Sequence, residues 1–274
     1  SQEGTSSPYS FYGIGETRFN GTVESRSMGG ISMIPDSTRI NFQNPAGYGN
    51  IKWTNFTIGA STSRTKQKSG TSDATAKRTT LDYLALAIPM GKFGAGFGLI
   101  PYSSVGYKIE NVYPDGSRNN KRFNGWGGMN RVFLGTGYRI LPNLSVGASA
   151  YYNFGKIQTN SLEFRPYVPI GSRELNVNEL NGVSYNFGVM HQLKLKNKLS
   201  VFSSLYYTPK STLTSNNERT IGTVTYNANY DLAGVDSFDP VYTKTELQMP
   251  QKWALGLGIG NTKKWVVGAE VAIQ

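Results

Sequence analysis

Four times along this chain two alternating segments are joined by a very short turn, and long polar stretches separate the pairs. Alternation with a period of two means a β-strand, because successive side chains leave opposite faces of the pleat. In Leu144 to Gly155, Leu144, Val146, Ala148, Ala150, Tyr152 and Phe154 share one face. Ser145, Gly147, Ser149, Tyr151, Asn153 and Gly155 share the other. The same split recurs in Val183 to Leu193, Trp253 to Gly260, Phe93 to Leu99 and Val132 to Ile140. The last of these puts Arg131 and Arg139 on its small, polar face, which a dry sandwich core does not tolerate. A long-short rhythm of connections with one apolar face predicts an antiparallel up-and-down transmembrane β-barrel.

Strands are expected at 52–62, 78–89, 93–109, 122–140, 144–157, 181–193, 199–214, 241–260 and 264–274. Long loops are expected near 63–77, 110–121, 158–180 and 215–240. Barrels of this kind keep their short turns on the periplasmic side, so strand one runs outward and the N-terminus is periplasmic. Residues 1–51 lack the alternation but hold Tyr9, Phe11, Tyr12, Ile31, Met33, Ile34 and Phe42, too apolar a set for disorder. They are expected to fold into the lumen as a plug, with residues 52–274 forming the barrel. Bacterial barrels have even strand numbers, and nine are counted; the gene product is therefore expected to continue past Gln274.

Composition sets limits on function. The 274 residues include no Cys, so no disulfide framework can be read. No run approaches the roughly 18 apolar residues that a membrane-spanning helix needs. A net charge of +11 raises the question of nucleic acid, but the cations sit at turns and in one long loop, as solvated rims do. His191 is the single histidine, and its parity puts it beside the lipid-facing residues, where an interfacial position suits it better than catalysis. Gly94-x-Gly96-x-Gly98 and Gly256-x-Gly258-x-Gly260 lie within strands and precede no helix, so they are not phosphate loops. They leave room in the lumen for the plug. No enzyme chemistry, cofactor or metal is implied.

Several stretches together resemble one family. Ser27-Met28-Gly29-Gly30, then Asn44-Pro45-Ala46 before strand one, looks like the hatch of FadL-type long-chain fatty acid transporters. So do Ala87-Ile88-Pro89, Leu144 to Ala148, and Leu247 to Trp253. The Asn-, Tyr- and Lys-rich composition is similar to that of Bacteroidota members. The resemblance implies a fourteen-stranded barrel passing hydrophobic small molecules, with Gly29, Gly30, Asn44, Pro45 and Ala46 in the hatch. It places a lateral opening at Pro101, where a proline interrupts strand three, and apolar ligand contacts at Tyr9, Phe11 and Tyr12. The expected partners are outer-membrane lipid and lipopolysaccharide, the ligand itself, and other outer-membrane proteins in a complex. Some FadL-like barrels are not transporters, so a subunit of a secretion or assembly machine is the competing expectation.

Overall fold

The computed structural model describes residues 13–69, 72–113, 119–195, 198–227, 231–261 and 264–274. Among them the strands are β1 (Glu16–Thr17), β2 (Asn55–Ser69), β3 (Ser72–Met90), β4 (Phe93–Asn111), β5 (Asn120–Leu141), β6 (Leu144–Phe164) and β7 (Ile170–Lys194). Then follow β8 (Ser200–Thr208), β9 (Ser211–Tyr226), β10 (Leu232–Ser237), β11 (Val241–Met249), β12 (Lys252–Asn261) and β13 (Trp265–Ile273). A short helix, α1 (Val23–Ser27), and a 3₁₀ segment, Pro45–Asn50, precede β2. All strand pairing is antiparallel, in one sheet ordered β13-β12-β8-β7-β6-β5-β4-β3-β2. The fold is all-β, and the sheet does not close on itself among the described residues.

The alternation read from the sequence sorts the two faces. Val183, Tyr185, Phe187, Val189 and Leu193 are exposed, as are Trp253, Leu255, Leu257 and Ile259. Ser145, Ser149, Tyr151, Asn153, Ser184 and Asn186 are buried. What buries them is the leader, because residues 14–51 lie on that face. Within this one segment, Thr38 accepts a hydrogen bond from Asn55 of β2 and Asn44 reaches β7 and β8, while Ser32 reaches β13. A segment that short touches both ends of the sheet only if the sheet curls around it.

The expected long loops are mostly strand. The β2–β3 ladder runs, past a register shift at Gly59/Ala60, to Ser69↔Ser72, and β6–β7 pairing reaches Phe164↔Gly171. Apolar residues thin out along these ribbons, although Leu162 is buried and Phe164 stacks on Tyr226, so hydrophobic alternation fades while the backbone ladder continues. Cross-strand polar pairs take over: Thr62 with Thr79 at 3.0 Å, Lys156 with Glu179 at 3.1 Å, and Arg173 donating to Asn160 at 3.0 Å. Arg219 binds Glu174 through two parallel hydrogen bonds of 2.9 and 3.1 Å, which hold the carboxyl below its ordinary pKa. β7 has 25 residues, whereas a membrane-crossing strand needs about 9–11.

Two expected strands are each broken in two. β8 and β9 replace the single strand expected over 199–214, and β11 and β12 replace that over 241–260. The breaks carry Pro209-Lys210 and Pro250-Gln251, since proline cannot donate to a ladder. Lys252 faces Thr208 on one side of the break and Met249 faces Ser211 on the other, so the two interruptions lie directly opposite each other. Alongside, β7 pairs with β8 from Phe187 onward and with β9 up to Asn181, leaving 182–186 between the two ladders.

Candidate functional site

The leader meets the concave face of the sheet through a cap followed by a trough of glycines. Asn44 caps the 3₁₀ segment by accepting from the Ala46 N–H at 3.1 Å, and Pro45 fills the first helical position, where no donor is needed. The Asn44 amide also donates to the carbonyls of Val189 at 3.1 Å and Leu205 at 3.4 Å. A Cβ at Gly188 would sit 2.0 Å from the Asn44 side-chain oxygen, so that cap fits only over glycine. Asn186 donates to the Gln43 carbonyl at 2.7 Å, and Asn50 donates to the Ser145 hydroxyl at 3.0 Å.

Tyr48 is the centre of this contact. It is 1 % exposed, and its carbonyl and ring occupy the space that a Cβ would take at Gly94, Gly96 and Gly135. Pro45 and Ala46 stand in the same way over Gly147. The in-strand glycines therefore receive the leader backbone. Around Tyr48, Ile40, Phe42, Ile51, Tyr83, Ile100, Phe133 and Tyr151 form one apolar cluster, with Phe42 edge-on to Tyr83 and Phe133. At the far margin Met33, fully buried, lies against Gly256, Gly258 and Gly268, and Glu270 accepts from the Ser32 N–H and hydroxyl, both at 2.8 Å.

The sites expected from the sequence fall in different places. Asn44, Pro45 and Ala46 are together in the buried cap. Gly29 and Gly30 sit apart from them, at the end of α1, with φ of +77° and +84°; the Gly30 N–H closes on the Ser25 carbonyl at 2.7 Å. Left-handed residues end helices, which explains both glycines locally. Tyr9, Phe11 and Tyr12 lie outside the described residues. His191 bonds the Asn143 amide at 3.1 Å, beside a short turn.

Pro101 lies at a parting of strands. The β3–β4 ladder ends at Leu84↔Leu99; beyond it β3 continues with β2, while β4 continues with β5. The β4–β5 register shifts between Pro101 and Ser103. The leader bridges this split. Glu16 and Thr17 pair with Ser104 and Ser103, and Arg18 donates to the Ser104 hydroxyl at 3.4 Å and the Leu81 carbonyl at 3.2 Å. Arg18 and Arg26 both approach Asp82, at 4.0 and 3.9 Å. No sequence periodicity announces a two-residue strand, so this bridge was not legible in advance. Cysteines at Thr17 and Ser103, which are register partners, should cross-link under mild oxidation in the full chain. Two free thiols after oxidation would mean that the leader leaves β4 in solution.

A family model, BamG, matches residues 1–274. This chain belongs to the BamG family. No curated protein gives a significant match to it. BamG is distinct from the FadL-type transporters, and the FadL resemblance is therefore wrong. The function carried over from it, passive uptake of long-chain fatty acids, falls as well. The misleading residues have local explanations: Asn44-Pro45-Ala46 is capping chemistry that any such turn can use, and Gly29-Gly30 is a helix end. Membership of the BamG family ties the chain to the bacterial outer membrane and to complexes of outer-membrane proteins.

Proposed function

We propose that this BamG-family chain is a non-transporting, non-enzymatic subunit of a machine that assembles proteins in the outer membrane. The observation that carries this reading is the family match over the whole chain. The packing of the leader supports it: Tyr48 and Met33 are buried against the glycines of the concave face, and a face held this way suits a structural subunit better than a conduit. In this reading residues 52–274 contribute wall strands to a barrel in lipid, and residues 1–51 are its plug. The short turns, such as those at Gly91 and Asn143, face the periplasm, and the ribbons stand outside.

The leader enters at the short-turn end, where Asn50 meets Ser145, and runs along the interior toward the ribbons, where Glu16 meets Ser104. The convex apolar face meets lipid, and the outermost ribbons meet lipopolysaccharide and partner subunits.

Two measurements on native cells test this. A tagged full chain purified in mild detergent should bring down other outer-membrane assembly subunits in fixed stoichiometry. Its depletion should slow insertion of newly made barrels while leaving fatty acid uptake unchanged. Loss of uptake with normal insertion would reject the proposal. Cysteine at Tyr167, which is exposed at the tip of the β6–β7 ribbon, should label with an impermeant maleimide on intact cells, and cysteine at Asn261 should not; the reverse pattern would invert the topology.

A further inference from the structure

Arg131 is an inward-facing cation of β5. Its guanidinium carbon lies over the Tyr102 ring, 3.9 Å from the centroid, and over the Tyr151 ring at 4.9 Å, so aromatic faces hold the fork in place. Its Nε donates to Asn153 Oδ1 at 3.1 Å, and the Asn153 amide donates on to the Ser184 hydroxyl at 2.9 Å. Among the described residues no carboxylate pairs with it. A guanidinium taken out of water without a counter-charge is costly unless a partner arrives.

Arg131 faces a cavity of about 410 Å³ between the leader and the concave face, within the usual size range of small-molecule sites. Arg18, Lys252 and Gln274 also line it, and no Asp or Glu side chain does. Arg18 is offset by Asp82, but Lys252 lies over the Tyr206 ring at 5.6 Å with no carboxylate pairing among the described residues. Glu270, the half-buried acid of β13, is engaged by Ser32 and by the lining residue Tyr206, and is not itself part of the lining. The remaining wall offers hydroxyls and amides, including those of Asn186 and Thr208.

We propose that this cavity is an anion site, taking a small organic carboxylate or phosphate whose charged head meets the Arg131 guanidinium where it lines the cavity. A planar, pre-oriented guanidinium matches two-oxygen acceptors, and Lys252 adds field without geometric demand. The site is independent of the assembly role and holds whether or not that reading stands.

The test uses the purified full chain in a non-ionic detergent, titrated with inorganic phosphate or citrate against chloride of matched ionic strength, with thermal unfolding and calorimetry as readouts. Saturable stabilisation by phosphate or by citrate beyond chloride is expected, and whichever acts identifies the head group. Arg131→Met should weaken that binding by at least about tenfold. Arg131→Lys keeps the charge but loses the fork, and Lys252→Gln removes the second cation; both should weaken binding even if Arg131→Met fails to fold. A response that chloride reproduces, or affinities unchanged in Arg131→Lys and Lys252→Gln, would overturn the proposal.

Discussion

Tyr48→Ala should destabilise the leader by about 3–5 kcal/mol, the range for truncating a large buried aromatic. The ring occupies a slot between Gly96 and Gly135 that no neighbouring side chain can refill, because both walls are glycine. The loss should fall on the leader and spare the sheet, since the strand ladders do not depend on Tyr48. Trypsin is the appropriate probe. The Arg39 side chain is half exposed, and in the wild type its surroundings are fixed by Ile40 and Phe42 packing. In Tyr48→Ala, cleavage after Arg39 should become fast while β5 to β7 remain protected. Equal protection in both proteins would show that the leader is held by something other than this slot.

The second large effect is expected from adding atoms. Gly147→Val would drive a Cβ to within 2.3 Å of the Pro45 backbone, which cannot swing aside as a side chain can. Overpacking of this kind costs about 1–3 kcal/mol when side chains yield, and more against main chain. Valine favours strands, so β6 itself should form normally. The 3₁₀ segment should lift away, separating Asn44 from its bonds to Val189 and Leu205. Amide exchange across 44–50 should rise sharply with β6 unaltered. Gly234→Ala is the control, because a Cβ there meets nothing within 4 Å; it should change stability by less than about 0.5 kcal/mol. A neutral Gly147→Val would mean that the leader does not lie in the glycine trough.

Much of the sheet was legible because a curled sheet with one wet, filled face and one apolar face writes that difference into every second residue. Val183 to Leu193 and Trp253 to Ile259 are correct residue by residue. Where polar residues dominate both faces, as beyond Gln158 and before Val177, the strand persists on a few apolar contacts such as Leu162 and the code that reveals it weakens, so the ribbons read as loops. Pro209 and Pro250 each broke an expected strand, and proline chemistry contained that information. Their exact opposition depends on a register set by distant pairings, which local reading cannot supply. Within the site, Arg131 is legible as inward-facing, whereas Asn44-Pro45-Ala46 enters only through the family resemblance and its capping role shows only in the structure. That Arg131 is held by Tyr102 and Tyr151 brings together residues from three strands, and the sequence carries no sign of it. The family assignment erred because capping and turn chemistry is shared by unrelated proteins.

The facing interruptions at Pro209-Lys210 and Pro250-Gln251 give the sheet a mechanical grain. Unbroken antiparallel strands resist flexing along their length, because bending must strain every rung. Here two neighbouring strands lose their rungs at the same height, and β7 beside them slips its pairing over 182–186. The result is a crease running across the strands. Load applied to the tips of β9 and β11 would be taken up as rotation about this line. Asn186 lies on it and donates to the Gln43 carbonyl beside the buried cap, so the same rotation would be carried to the place where the leader is held.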